Sequence, residues 1–226
     1  MRTLLRKDLR LSRLPLTVSV SLLFVPYFVV AAMLYQVYAP DLPSRGAIAD
    51  YVASAAVFGL MFSAAGAGLL AGNIVACERA DGSAVFLACR PVSRLQVIVS
   101  KLGVVAAGIG LMWFVHTAAL FGIAPLLATD AQPYMNIDDP VGFAAAVTVV
   151  TTGVSWFASI VTRSPSLAIS AGLGAAFLVP WLVYLVGLWI DVAPDDLTTT
   201  RTFTQWAVGS SGLLGGTYIY LKRVEP

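Results

Sequence analysis

Charged side chains are scarce in this chain: Asp, Glu, Lys and Arg make up 12% of its 226 residues, against about 25% in an ordinary soluble domain. Hydrophobic residues make up 58%, and the mean hydropathy is +0.84. A soluble domain of this length has no interior that could hold so much apolar surface, so the composition predicts an integral membrane protein. The net charge of only +2 gives no basic surface for nucleic acid.

Residues that usually carry chemistry are also few. The two cysteines, Cys77 and Cys89, are too few for a disulfide framework and lack a constellation of His or acidic residues that would complete a metal site, so no metal site is predicted. The phosphate-binding pattern G-x-x-x-x-G-K-S/T is absent, so the chain is predicted not to be an enzyme that hydrolyses ATP and to bind no cofactor itself. Its apolar segments contain no carboxylate, which argues against a proton- or sodium-coupled transporter.

Six apolar segments are each close to the length of about 20 residues that a membrane-spanning helix needs. None of them contains Asp, Glu, Lys or Arg. We therefore predict an all-α polytopic membrane protein with one transmembrane domain covering residues 1–226. The predicted spans are 16–38, 52–76, 103–127, 141–162, 166–190 and 204–221.

The basic residues predict the orientation of these spans. With the N-terminus in the cytoplasm, 12 of the 14 basic residues fall on the cytoplasmic side, which is the side where Lys and Arg accumulate. The opposite side keeps only Arg45 and Arg201, together with most of the aspartates. We predict a multi-pass protein of the cytoplasmic membrane with both termini inside.

Residues 1–15 form an amphipathic pattern. Arginines recur on one side of a helix, and leucines fall on the opposite side; the arginines are Arg2, Arg6, Arg10 and Arg13. Such a helix can lie in the membrane interface with its leucines among acyl chains. The alternative is that these residues only supply the positive charge that fixes topology.

The 77–102 loop is the longest loop on the cytoplasmic side. Its Asp81-Gly82-Ser83 step can begin a short apolar helix over 84–89, because an aspartate accepts free backbone N–H groups at a helix start. Arg90-Pro91 ends that helix, and Ser93-Arg94 begins another that leads into the third span. An apolar helix held in the cytoplasm predicts a partner surface, unless it lies back on the bilayer or on neighbouring spans.

The order of steps in this loop resembles that of permease subunits of type-2 ABC exporters, between their second and third spans. The matching residues are Cys77-Glu78-Arg79-Ala80-Asp81-Gly82-Ser83, Arg90-Pro91-Val92-Ser93-Arg94 and Val99-Ser100-Lys101. In that family the loop is a coupling helix that docks on a separate ATPase subunit, which binds ATP and magnesium. The resemblance implies two cytoplasmic ATPase subunits and a second permease copy or a close relative.

The resemblance also implies roles for particular residues in ATPase coupling. They are Glu78, Asp81, Gly82, Val85, Phe86, Pro91, Arg94 and Lys101. Glu78 and Lys101 would hold the two ends of the loop, and Asp81 and Gly82 would begin the coupling helix. Val85 and Phe86 would contact the ATPase. The short 191–203 loop leaves little room for the external re-entrant helices that some relatives carry.

Small residues recur every fourth position along the second span, which favours close helix packing. In the resembled family, two permease copies enclose a path lined by the second and fifth spans. A smooth small-residue surface there would suit a lipid-like or hydrophobic passenger. The candidate path residues are Gly59, Ser63, Asn73, Ser170 and Gly174. Packing within one chain is the alternative for each of them.

Two other functions are compatible with parts of the sequence. A non-transporting membrane scaffold could recruit a cytoplasmic partner through the same loop. Gly209-Ser210-Ser211-Gly212 resembles the nucleophile motif of rhomboid intramembrane proteases, with His116 as the base, but those proteases have Ser before His in the chain. His116 is otherwise expected to be a buried residue bonded to a neighbouring span.

Overall fold

A computed structural model describes residues 2–38, 43–82, 93–127, 138–190 and 193–223, which contain helices and no strand. The all-α prediction is therefore confirmed. The seven helices are α1 (Arg2–Leu11), α2 (Arg13–Tyr38), α3 (Arg45–Ala80), α4 (Arg94–Leu127), α5 (Asp138–Val161), α6 (Pro165–Trp189) and α7 (Pro194–Arg223). Helix α4 contains one π-helical turn, Ala119–Ile123.

Five of the described helices, α2 to α6, are long and apolar enough to cross a membrane. Helix α7 covers the predicted sixth span and has 30 residues, but it does not meet the same measure of hydropathy. Its middle carries Gln205 and a run of glycines, serines and threonines, which lower its hydropathy without shortening it.

Several helices extend well beyond the apolar segments that predict them. Helix α3 continues to Ala80, and α4 begins at Arg94, where Ser93 and Gln96 bond each other's backbone in a capping box. Helix α7 begins at Pro194, so most of the predicted 191–203 loop is helical. Apolar runs mark only the membrane core of a helix, whereas capping residues set where it ends.

Helix α5 is the centre of the bundle and packs against α3, α6 and α7. Its Trp156 is fully buried in the main core, together with Ile160 and residues of α2, α3 and α4. Along α7, glycines allow backbone-to-backbone contact: a Cβ on Gly153 would overlap the carbonyl oxygen of Gly209. A Cβ on Gly209 would lie 2.5 Å from the carbonyl oxygen of Val149. The two helices run parallel at this contact.

Helix α3 approaches α6 in a similar way. A Cβ added to Gly72 would lie 2.9 Å from the backbone nitrogen of Ile169, and one added to Gly68 would lie 2.8 Å from Thr151 of α5. The small residues of the second predicted span thus pack within one chain at these positions. By contrast, α2 and α6 bury little of their apolar surface.

The α5–α7 contact predicts a strong effect of adding one methyl group. Gly153→Ala should lower the free energy of unfolding by about 1–3 kcal/mol, because the new Cβ has only backbone to displace. Gly110→Ala on α4 is the matched control, since its Cβ would meet nothing within 4 Å. Thermal unfolding in mild detergent compares the two variants, and equal stabilities would contradict the close contact.

Candidate functional site

Lys101 lies at the centre of a buried cluster of charged residues near the end of the bundle that carries α1. Its side chain is 0% exposed. The ammonium nitrogen lies 2.7 Å from Glu78 Oε2, 3.5 Å from Asp8 Oδ1 and 3.0 Å from the carbonyl oxygen of Ile74. Three donors therefore meet three acceptors, which is the arrangement that makes a buried ammonium tolerable.

Both carboxylates of this cluster have second partners. Ser100 donates its hydroxyl hydrogen to Asp8 Oδ2 at 2.6 Å, and Lys7 donates to Glu78 Oε1 at 2.6 Å. Two lysines and two carboxylates give a formal charge of zero. We call Lys7, Asp8, Glu78, Ser100 and Lys101 the Lys101 cluster, and we call this side of the molecule the cluster end.

The cluster joins three separate elements. Glu78 lies near the end of α3, Lys101 lies two turns into α4, and Asp8 is on α1. Asp8 of α1 and Ser12, just after it, are buried, whereas Leu9 is 42% exposed and Arg6 and Arg10 are exposed as well. Helix α1 thus contacts the bundle through Asp8, and its exposed side carries Leu9, which can contact lipid, together with arginines, which can contact phosphates, as in an interfacial helix.

Two arginines add hydrogen bonds to α5 and α7 at the same end. Arg79 of α3 donates to the carbonyl oxygens of Ile160 and Thr162 at the end of α5, the second at 3.5 Å. Arg94, the first residue of α4, donates to the carbonyl oxygen of Leu221 on α7 at 3.1 Å. The residues that flank the 83–92 segment are thus bonded to α1, α5 and α7.

Asp81 and Gly82 end α3: Asp81 is its C-terminal cap, and the N–H of Asp81 donates to the carbonyl oxygen of Cys77 at 3.0 Å. The coupling helix that they are predicted to begin lies outside the described residues. Gly82 has φ of +75°, a conformation that commonly ends helices and that favours glycine. Val85, Phe86 and Pro91, the predicted ATPase-contacting and helix-ending residues, lie outside the described residues.

The structure does not gather the five candidate path residues into one surface. Ser63 is buried and donates to the carbonyl of Gly59 in its own helix at 3.0 Å, and the ring of His116 fills the space beside Gly59. Asn73 is half-buried. Ser170 and Gly174 lie on α6, where Ser170 is exposed and a Cβ on Gly174 would meet nothing.

His116 is fully buried and pairs with Tyr27 of α2, whose hydroxyl lies 3.0 Å from its Nδ1. The two rings stack with centroids 5.7 Å apart. Its Nε2 has no hydrogen-bond partner among the described residues, so no bond joins it to Ser211, which is exposed on α7. This geometry favours packing over a serine–histidine pair.

Sequence reasoning singled out Glu78 and Lys101 but missed Asp8, Lys7 and Ser100. The missing signal was Asp8 itself, the only acidic residue among the basic N-terminal residues. Asp8 lies next to Lys7 in a segment that was interpreted only from its arginines and leucines, so it was not identified as an ion-pair partner. An isolated acid in such a helix predicts a specific cationic partner elsewhere in the chain.

Comparison of the chain with protein-family models, with curated proteins and with solved structures finds no match. The interpretation of the Lys101 cluster therefore rests on its geometry.

The cluster predicts that loss of its central cation is severe. Lys101→Met should cost about 3–5 kcal/mol of stability, because it leaves the carboxylates of Asp8 and Glu78 buried with too few partners. Lys222→Met, at an exposed position near a tyrosine ring, is the matched control and should cost under about 1 kcal/mol.

Unfolding of these variants can be followed by thermal denaturation in detergent. Combining Lys101→Met with Glu78→Gln should cost less than the sum of the two single changes, because the second change removes a stranded charge. Strict additivity would show that the two residues do not interact.

Proposed function

We propose that this chain is the membrane-spanning subunit of an ATP-driven ABC exporter, powered by a separate ATPase subunit that docks on the 77–102 loop. One observation carries the proposal. The two ends of that loop belong to helices that are bonded to each other through Glu78 and Lys101, and to other helices through Arg79 and Arg94. A displacement of the loop would therefore reach most of the bundle.

This arrangement supports coupling for a mechanical reason. A flexible attachment would absorb the motion of a docked partner, whereas buried ion pairs cost several kcal/mol to break and so keep their elements together. Helix α1 takes part, because Asp8 bonds both Ser100 and Lys101. In this proposal the Lys101 cluster is a positioning device, and no residue of the chain is catalytic.

Helix α7 is the sixth span in the proposed topology. It runs parallel to α5 and contacts it closely from Gly209 to Gly216, so it shares the depth of a helix that is apolar enough to span. Among the polar residues in the middle of α7, Gln205 is fully buried in the protein, whereas Ser210 and Ser211 are exposed. The excess of basic residues at the cluster end supports a cytoplasmic position for that end and, with it, the proposed location in the cytoplasmic membrane.

The proposed passenger is lipid-like or hydrophobic, and the proposed complex holds two copies of the chain or one copy and a close relative. Support comes from α6, which buries little of its surface in one chain. Ser170 and the open space at Gly174 give this helix a small-residue surface that a second copy could approach.

Labelling of single cysteines tests the topology. In a chain without Cys77 and Cys89, a cysteine replacing Ala193 should react with an impermeant maleimide in intact cells. A cysteine replacing Glu225 should react only after the cells are permeabilised, because the two positions flank α7. Reaction of both from the same side would mean that α7 does not cross the membrane.

Replacing Phe86 tests ATPase docking. Phe86→Asp should leave the chain in the membrane but abolish retention of an ATP-hydrolysing subunit in mild detergent. Burying a phenylalanine contributes roughly 1.5–3 kcal/mol, and an unpaired buried charge costs more. Ile190→Asp is the control, since it adds the same charge to an exposed apolar residue at the opposite end.

Purification and measurement of ATP hydrolysis in the retained complex distinguish the outcomes. Unchanged retention and passenger-stimulated hydrolysis in Phe86→Asp would overturn the docking assignment. A retained partner without ATP hydrolysis would instead favour the membrane scaffold.

A further inference from the structure

Two grooves meet at Arg201 on α7, at the end of the bundle opposite the Lys101 cluster. The larger has a volume of about 760 Å³ and lies between α3, α5, α6 and α7. The smaller, about 680 Å³, lies on the other side of Arg201 beside Gly142 and the threonines of α7. Phe143, Thr198 and Arg201 line both grooves, so the guanidinium stands at their junction.

The larger groove is apolar and open on the α6 side. Phe58, Phe177, Trp181 and Tyr184 form its wall, and each of them is more than half exposed; Phe177 is 76% exposed. Because α6 is a helix that can span the membrane, this opening faces hydrocarbon rather than water. A hydrocarbon chain is the occupant that such a wall accommodates.

Arg201 gives the junction a charge. It is the single charged residue among those that line the two grooves in the described part of the chain. Its guanidinium carbon lies 4.6 Å from the centroid of the Phe143 ring. Its Nε is buried and has no hydrogen-bond partner, and none of the described carboxylates forms an ion pair with it. The residue as a whole is half-buried and lines both grooves, so its guanidinium is a cation that a ligand can reach and that has no described counter-ion, which favours an anion at this point.

The depth of Arg201 agrees with the position of a lipid headgroup. It lies seven residues after Pro194, where α7 begins, so it is about 10 Å along the helix axis. The headgroup region on each side of a bilayer is about 5–8 Å thick, so a helix that begins near the membrane surface places this residue close to the boundary with hydrocarbon. A lipid could lie with its phosphate at Arg201 and an acyl chain in the larger groove.

We propose that these grooves form a binding site for a phospholipid of net negative charge, whose headgroup phosphate bonds the Arg201 guanidinium and whose acyl chain lies against Trp181 and Tyr184. The site is far from the Lys101 cluster and involves no ATPase. Lipid binding to the isolated chain can therefore fail while the coupling proposal holds, and the reverse is also true.

Native mass spectrometry of the purified full chain tests the proposal. The chain is released from detergent after titration with phosphatidylglycerol, with phosphatidylcholine or with inorganic phosphate. Phosphatidylglycerol should bind at least about tenfold more tightly than phosphatidylcholine, because both lipids carry the phosphate but the quaternary ammonium of choline is repelled by the guanidinium. Arg201→Gln removes the cation and should therefore remove this preference. Arg201→Lys should restore part of the preference, which excludes misfolding as its cause.

Two further variants distinguish the contribution of the lipid headgroup to binding from that of the acyl chain. Arg45→Gln removes the exposed arginine at the start of α3, near the same end of the bundle, and should leave the preference unchanged. Trp181→Ala should weaken the binding of both lipids to a similar extent, since it removes only an apolar contact with the acyl chain. A preference that survives Arg201→Gln would overturn the proposal. Binding of inorganic phosphate without any binding of lipid would also overturn it, because Arg201 would then be a simple anion site.

Discussion

The ammonium group of Lys101 is the constraint on which the cluster end of this protein depends. A lysine with no solvent exposure must have its charge and all of its donors matched by protein groups. Glu78 alone cannot do this, so Asp8 has to come from another part of the chain. The position of α1 is therefore not set by its leucines alone. Docking of α1 on α4 is therefore part of what allows Lys101 to be buried with its donors matched.

The middle of the bundle is held together by a different interaction. Between α5 and α7 the contact surface is glycine against backbone, where Gly153, Gly209 and Gly212 let the two helices approach without side chains between them. Such contacts need no charge and work equally well in lipid, where apolar burial gives little driving force for association. Buried ion pairs thus join α1, α3 and α4 at the cluster end, whereas close backbone packing joins α5 and α7.

Much of the architecture could be predicted from sequence, because apolar runs record which segments avoid water. The all-α class and the helix that begins after Ser93 follow from local patterns, whereas the roles of Glu78 and Lys101 at the two ends of the 77–102 loop were implied only by the family resemblance. The role of Asp8 could not be predicted, since the residue that needs it is Lys101, 93 positions later. The end of α3 at Asp81 was not predicted either, because an aspartate followed by glycine is compatible both with a helix start, as predicted for 81–83, and with a helix end.

The distribution of polar bonds divides the helices into two groups. Side-chain hydrogen bonds or ion pairs join α1, α3, α4, α5 and α7 at the cluster end, whereas none of those between described residues joins α6 to another helix. Helix α6 contacts its neighbours through glycines and apolar side chains, and it contains Pro180, which removes one backbone bond at the larger groove. A shift of α6 therefore breaks no described ion pair, while it changes the width of the groove beside Arg201. In the proposed exporter, the helices joined at the cluster end would move as a unit, and α6 is the element against which that unit can open or close a lipid site.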